Sequence, residues 1–301
     1  MRTMDEYKAL IDRALEVYLP KIEKRSPGAG EIPWLLNDAM RYSLLAGGKR
    51  LRPSMLLAAA EMLGGDAREA LPMAAALEII HTCSLVHDDL PGMDDDDLRR
   101  GAPTNHIIFG EGQAILAGDG LLNLAYELML KNAMDYPIHA TRHLAAIYEI
   151  AEATGARGMM GGQCMDLYCE REDIRDEALL GYIHAHKTGR LFVAPLRAAA
   201  RLCGAKPEEL DALTRFGEKF GLLFQAADDI LDEVGDEAAL GKAVKKDAEC
   251  GKLTYVTLYG LEGARAQVRA LRQEAAGALS AFGERAAFFM RLLDRVTEGV
   301  F

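Results

Sequence analysis

With 301 residues, half of them hydrophobic, the chain is long enough to bury a sizeable core, so disorder is not the default reading. A net charge of −11 disfavours nucleic acid and anionic membrane as partners, and an anionic substrate would have to be drawn in by local basic groups and metal. Cys83, Cys164, Cys169, Cys203 and Cys250 lack paired metal-site spacing, and their odd number suits free thiols in a reducing cytosol.

The N-terminal residues Met1 to Leu15 are charged throughout, with no apolar signal region. No apolar run approaches the roughly 20 residues that span a bilayer, so the expectation is a soluble, cytoplasmic protein. Tyr7, Leu10, Ile11 and Leu15 form a 3.6-residue stripe, and Leu35, Met40 and Leu44 begin another. Helix punctuation recurs at Gly47-Gly48, Pro53, Gly64-Gly65, Pro72, Gly101, Pro103, Pro137 and Pro207, and no proline follows Pro207. Alternating β-rich runs, linkers, low-complexity segments and sequence repeats are absent. These patterns predict one all-α domain over residues 1–301 with about ten or more helices.

Gly47-Gly48-Lys49-Arg50-Leu51-Arg52-Pro53 is the first chemical motif. Two glycines permit a sharp turn, and three cations at a helix N-terminus suit an anion. A helix expected from about Leu71 to Asp89 places His81, Ser84 and Asp88 on one face, at i, i+3 and i+7. It ends in His87-Asp88-Asp89-Leu90-Pro91-Gly92-Met93-Asp94-Asp95-Asp96-Asp97-Leu98-Arg99-Arg100-Gly101, with six carboxylates in ten residues. Crowded carboxylates raise one another's pKa unless a cation sits among them. Hard divalent ions, Mg2+ above all, choose such oxygens, and arginine grips phosphate bidentately. In isolation the run reads equally as a solvated acidic loop. Asp88 and Asp94 cannot share a regular helix face, and a break at Pro91-Gly92 would let both converge on one ion.

Glu111 to Leu130 reads as a buried helix carrying Asp119 amid apolar residues. Gly161-Gly162-Gln163-Cys164-Met165-Asp166 sets two glycines before a Gln/Asp pair, and His186-Lys187-Thr188-Gly189-Arg190 reads as a short polar break offering Lys187 as a cation. Phe224-Gln225-Ala226-Ala227-Asp228-Asp229-Ile230-Leu231-Asp232 repeats the acidic pattern inside an apolar helix, with Asp228 and Asp232 four apart on one face. Lys242 and the run Gly251-Lys252-Leu253-Thr254-Tyr255 add further cations. Two such clusters on apolar helices point to opposite walls of one metal-filled cavity.

From about Asn37 to Leu261 the chain resembles the trans-isoprenyl diphosphate synthases, specifically the bacterial farnesyl/geranylgeranyl type. Asp88-Asp89 followed by four residues and Asp94 is similar to the family's first aspartate-rich motif, and Asp228-Asp229-Ile230-Leu231-Asp232 to its second. The resemblance implies an all-α, single-domain bundle around a deep central cavity, usually a homodimer, with Mg2+ as cofactor. It implies metal ligation by Asp88, Asp89, Asp94 and Asp228, with Asp232 acting through water. Arg99, Lys187, Thr188, Gln225 and Lys242 would surround the allylic diphosphate, and Gly48, Lys49, Arg52, His81 and Arg100 would bind isopentenyl diphosphate. Asp88, Asp94, Arg99, Lys187, Asp228 and Lys242 would then carry catalysis, in which the allylic C1–O bond ionises and isopentenyl diphosphate captures the cation.

In that family the residues four and five before the first aspartate, here Ser84 and Cys83, help to form the cavity floor. Farnesyl synthases of this type typically carry an aromatic residue where Cys83 stands, so cysteine leans toward a C20 product while C15 stays open. The family's Gly-Lys-x-Thr-Tyr-Pro run has Val256 in place of proline, and the basic C-terminal tail is missing. A class I terpene cyclase and a non-catalytic regulatory subunit are the competing readings. The second aspartate motif, with Lys49 and Arg52, speaks against the first, and the presence of both intact aspartate motifs against the second.

Overall fold

The proline and glycine stops divide the chain into thirteen α-helices among the described residues. The computed structural model describes residues 2–172, 174, 176–234, 254–298 and 300. In order these are α1 (Met4–Tyr18), α2 (Trp34–Leu44), α3 (Leu51–Met62), α4 (Ala67–Asp88), α5 (Asn105–Phe109), α6 (Glu111–Asp135) and α7 (Ala140–Thr154). There follow α8 (Met159–Glu172), α9 (Glu177–Ile183), α10 (Arg190–Cys203), α11 (Pro207–Val234), α12 (Tyr255–Ala278) and α13 (Ala287–Thr297). The all-α expectation holds.

Helix α4 starts at Ala67, earlier than expected, because the Asp66 side chain caps it by accepting from the Arg68 amide. Pro72 falls inside the helix and does not open it. The helix also corrects the reading that no stretch could span a bilayer: by length and composition α4 could, with a mean hydropathy of 1.3. Its apolarity serves the core instead. Met73, Leu77, Ile79 and Ile80 are fully buried, and the helix packs against α6, α3 and α1.

Opposite α4, the core is closed by aromatic side chains of α10, α11 and α13. Phe192 meets Phe220 edge-on at 5.1 Å, and Phe216 meets Phe289 at 5.2 Å, the separations that favour ring quadrupoles. The expected polar break after α9 is not a break. Residues His184–Gly189 continue the helix in π form, a widened turn that recurs at functional sites. Helix α8 reaches this turn because Gly162 has no side chain; a Cβ there would collide with the backbone nitrogen of Lys187.

Between α4 and α5, Leu98–Arg99 pairs antiparallel with Ala102–Pro103. The two loop residues, Arg100 and Gly101, both have positive φ (55° and 77°), as a tight hairpin turn matched to strand twist requires. Truncating the fully buried Phe220 to alanine should cost about 3–5 kcal/mol, read as a lowered urea midpoint at unchanged m-value.

Candidate active site

The last three turns of α4 face two environments of opposite charge. On the basic side, the chain after α2 turns through Gly47 and Gly48, whose φ values are 88° and 135°. A Cβ on Gly48 would sit 2.8 Å from the Arg100 guanidinium, so only glycine lets that arginine lie across the turn and donate to the Gly47 carbonyl. The three cations of the motif then diverge. Lys49 is exposed, and Arg50 turns into the core. Arg52 lies 4.6 Å over the Phe192 ring and donates from Nη1 to His81 Nε2 at 3.3 Å.

Arginine can only donate, so His81 accepts through Nε2 and carries its proton on Nδ1. Burial, then Arg52, Arg100, Arg99 and Arg50, lower the His81 pKa well below its usual value, which keeps the ring neutral. Burial pushes Arg52 down to about 10, against the pull of Glu78, and leaves it charged. Arg52 Nε and His81 Nδ1 are buried without a partner among the described residues. Two buried donors without partners beside Arg100 concentrate positive charge and unused hydrogen-bonding capacity at this turn.

On the acidic side, the chain folds back past Pro91-Gly92. The Asp94 amide donates to the Asp88 carbonyl at 2.9 Å, and the Asp95 amide to that of Leu90 at 3.2 Å. Asp89 is buried, and its Oδ1 accepts from Arg99 Nε and Nη2, each at 2.6 Å. The residue expected as a ligand is thus held in a tight ion pair with the arginine expected on the diphosphate. Burial, with Asp94 and Asp89 adding to it, raises Asp88 to about 6 against the pull of Lys187 and Arg99. Asp94 is exposed.

The π turn joins this wall to the second aspartate motif. Lys187 sits between Asp88, with which it interacts electrostatically, and Asp166 of α8, whose Oδ2 is 2.5 Å from its Nζ. Next to it, the Thr188 hydroxyl donates to Gln225 Oε1 at 3.4 Å. Gln225 Nε2 in turn donates to Asp229 Oδ1 at 2.8 Å, and the Asp229 Oδ2 accepts the Tyr255 amide at 2.8 Å. Asp229 therefore ties α11 to the start of α12, while Asp228 is exposed and Asp232 buried. Lys242 and residues 251–253 lie outside the described residues.

Cys83 is buried against α6, and burial, with Asp119 and Asp88, pushes its thiol up to about 12. Ser84, one residue nearer the acidic end, donates its hydroxyl to the His81 carbonyl at 2.9 Å. Asp119, expected amid apolar residues, is exposed and stands 3.9 Å from His87. Among the described residues the non-glycine positions with positive φ are Arg50, Asp95 and Arg100. All three lie in these motifs, where backbone strain tends to collect. Sequence reasoning did not single out Glu78; its signal was its place one helical turn before His81.

A family model described as polyprenyl synthetase matches residues 33–283. The chain belongs to that family. It is 45% identical over 264 residues to a dimethylallyltranstransferase of Fischerella ambigua, covering 88% of this chain and 76% of that one. It is 42% identical over 262 residues to the geranylgeranyl diphosphate synthase of Cyanophora paradoxa, covering 87% of each. Its fold superposes on an FPP/GFPP synthase from Zymomonas mobilis with a TM-score of 0.83 and 35% identity, over 97% of this chain and 96% of that one. This member of the polyprenyl synthetase family is an enzyme, a short-chain prenyltransferase.

A raised carboxyl at Asp88 has two measurable consequences. The folded chain binds that proton more tightly than the unfolded chain does, so the cost is absent below pH 3.8 and fully present above about 6. In metal-free protein at pH 7.5, Asp88→Asn should raise stability by about 1 kcal/mol; the full shift would give about 3, discounted for partial exposure. Stabilisation by Mg2+ with inorganic pyrophosphate should be strong above pH 7 and fade as protons compete below about 6. Thermal denaturation across pH, with and without both ligands, reads both effects.

Proposed function

We propose that this prenyltransferase condenses an allylic diphosphate with isopentenyl diphosphate in a Mg2+-dependent reaction, extending the chain to geranylgeranyl (C20) length. The observation that carries the reading is two separate charged clusters flanking one helix end. One lies beside crowded carboxylates and Lys187, and the other, around Arg52, His81 and Arg100, has buried donors without partners.

The donor set fits a hard divalent ion. Asp88, Asp94 and Asp228 offer only oxygen, and Asp88 is raised by burial and by its acidic neighbours, the condition a cation relieves. Among the described residues no three candidate ligand side chains close on one point. Such ions commonly reach protein through one or two carboxylates and take substrate phosphate for the rest. In this reading Asp88 and Asp94 hold the ion from one wall and Asp228 from the other, with Asp232 behind it, while Asp89 keeps Arg99 in place. When bound, Mg2+ neutralises charge developing on the departing diphosphate oxygen.

The chain's own residues supply the remainder. Lys187 and Arg99 hold the allylic diphosphate, with Thr188, Gln225 and Lys242 beside it, and their fixed charges favour C1–O ionisation. Gly48 leaves room for Arg100, which with Lys49, Arg52 and the His81 Nδ1–H orients isopentenyl diphosphate toward the new cation. Apolar walls of α4 and α6 keep water from that cation, and the released diphosphate is the base for the final proton. Cysteine at position 83 is smaller than the aromatic residue that the resemblance associates with farnesyl synthases, which supports the longer product. The terpene-cyclase and regulatory-subunit readings find no support among relatives named as transferase or synthase.

We further propose a cytoplasmic homodimer. The exposed Ile108, Ile115, Leu116, Met134, Leu144 and Tyr148 lie on consecutive helices α5, α6 and α7 and suit burial against a second copy. Light scattering should give twice the 32.8 kDa chain mass, and a monomer at micromolar concentration would exclude the dimer.

Incubation with geranyl and then farnesyl diphosphate, isopentenyl diphosphate and Mg2+ should give C20 from both primers by mass spectrometry. No turnover of either primer would refute the assignment. Asp88→Ala and Asp228→Ala should each lower kcat at least about 100-fold with the helical circular dichroism intact. Cys83→Tyr should shorten the product to C15.

A further inference from the structure

Arg50 stands between the two cations assigned to isopentenyl diphosphate, yet its side chain is almost fully buried and points away from them. It occupies the N-cap of α3 in left-handed conformation, φ 50° and ψ 37°, a geometry that a residue with a side chain adopts only when its surroundings impose it. The surroundings do. Arg50 Nε donates to Asp12 Oδ1 at 2.8 Å, Nη1 to Glu78 Oε1 at 2.7 Å, and Nη2 to the Leu44 carbonyl at 3.0 Å. One guanidinium thereby ties α1, the end of α2 and α4 to the turn that carries Gly48, Lys49 and Arg52.

Glu78 is buried on α4, one turn before His81, and is the acidic group whose charge acts on Arg50, Arg52 and Arg100 together. Asp12 lies on α1, upstream of the family-model match, which begins at residue 33. The turn thus depends on a helix outside the matched region.

We propose that Arg50 is a positioning residue: through Glu78 and Asp12 it sets the Gly48–Arg52 turn in the conformation that receives the second diphosphate, and it makes α1 part of that site. The inference rests on the reading of Gly48, Lys49, Arg52, His81 and Arg100 as the isopentenyl diphosphate pocket. Lysine keeps the charge at position 50 but has no planar fork with which to reach three acceptors at once. The turn would relax, while the allylic side, where Asp166 anchors Lys187 and Asp89 anchors Arg99, would be left alone.

The test is steady-state kinetics of Arg50→Lys and Asp12→Asn with each substrate varied in turn, with Arg52→Ala as the site control. Arg50→Lys should raise KM for isopentenyl diphosphate at least tenfold while KM for the allylic diphosphate stays within twofold. Asp12→Asn, at the half-exposed end of the network, should shift the same constant several-fold and covers the case in which Arg50→Lys does not fold. Purely structural damage would lower the active fraction, and so kcat, with neither KM moving. That pattern, or an equal rise in both KM values, would overturn the inference. If Arg52→Ala raises KM for isopentenyl diphosphate and the other two variants do not, the positioning role fails while the site stands. If Arg52→Ala leaves that KM unchanged, the site reading falls and the inference falls with it.

Discussion

Like charges forced close together at the edge of an apolar core are the constraint around which this molecule is built. Helix α4 brings Asp88 and Asp89 to one side of its end, where Arg99 joins them, and the neighbouring turns bring Arg52 and Arg100 to the other. Neither set is comfortable alone: Asp88 is raised by burial and acidic neighbours, and Arg52 is lowered by burial and by Arg100. Each is restrained by selected partners. Arg99 grips Asp89, Asp166 holds Lys187, and Glu78 acts on the arginines. The Nε of Arg52 and the Nδ1 of His81 stay buried without a partner among the described residues.

Backbone geometry serves the same end. The left-handed residues Arg50, Asp95 and Arg100 each sit where the chain must turn sharply to present a charge. A glycine at any of them would ease the backbone but lose the side chain. At Gly48 the trade runs the other way, because a side chain would displace Arg100. The π turn at His184–Gly189 follows a similar logic. It keeps Lys187 and Thr188 on a rigid helical frame between α8 and α11, where a loop would let both wander.

The helical class, the points where helices stop and the family were legible in the sequence because they rest on local properties. A 3.6-residue apolar period, prolines and glycines at helix ends, and carboxylates four apart need no knowledge of neighbours in space. The start of α4 was misjudged for a local reason too: Pro72 looked like a stop, whereas the cap lies at Asp66. A span-length helix is hidden in the sequence because Glu78 interrupts the apolar run of α4 while its mean hydropathy stays high.

Tertiary structure alone decided how the charges divide. Arg50 and Arg52 are two residues apart in one motif, yet one is sunk in a core ion pair and the other lies against Phe192 and His81. The difference comes from Asp12 and Glu78, 38 and 28 residues away from Arg50. Asp88 and Asp89 are adjacent, but Arg99 selects only the second. Lys187 finds Asp166 across 21 residues. The sequence by itself determined which chemistry the chain carries, since residue type and spacing are written along it. Which residue performs each part was set by long-range ion pairs, whose partners become neighbours only when the helices pack.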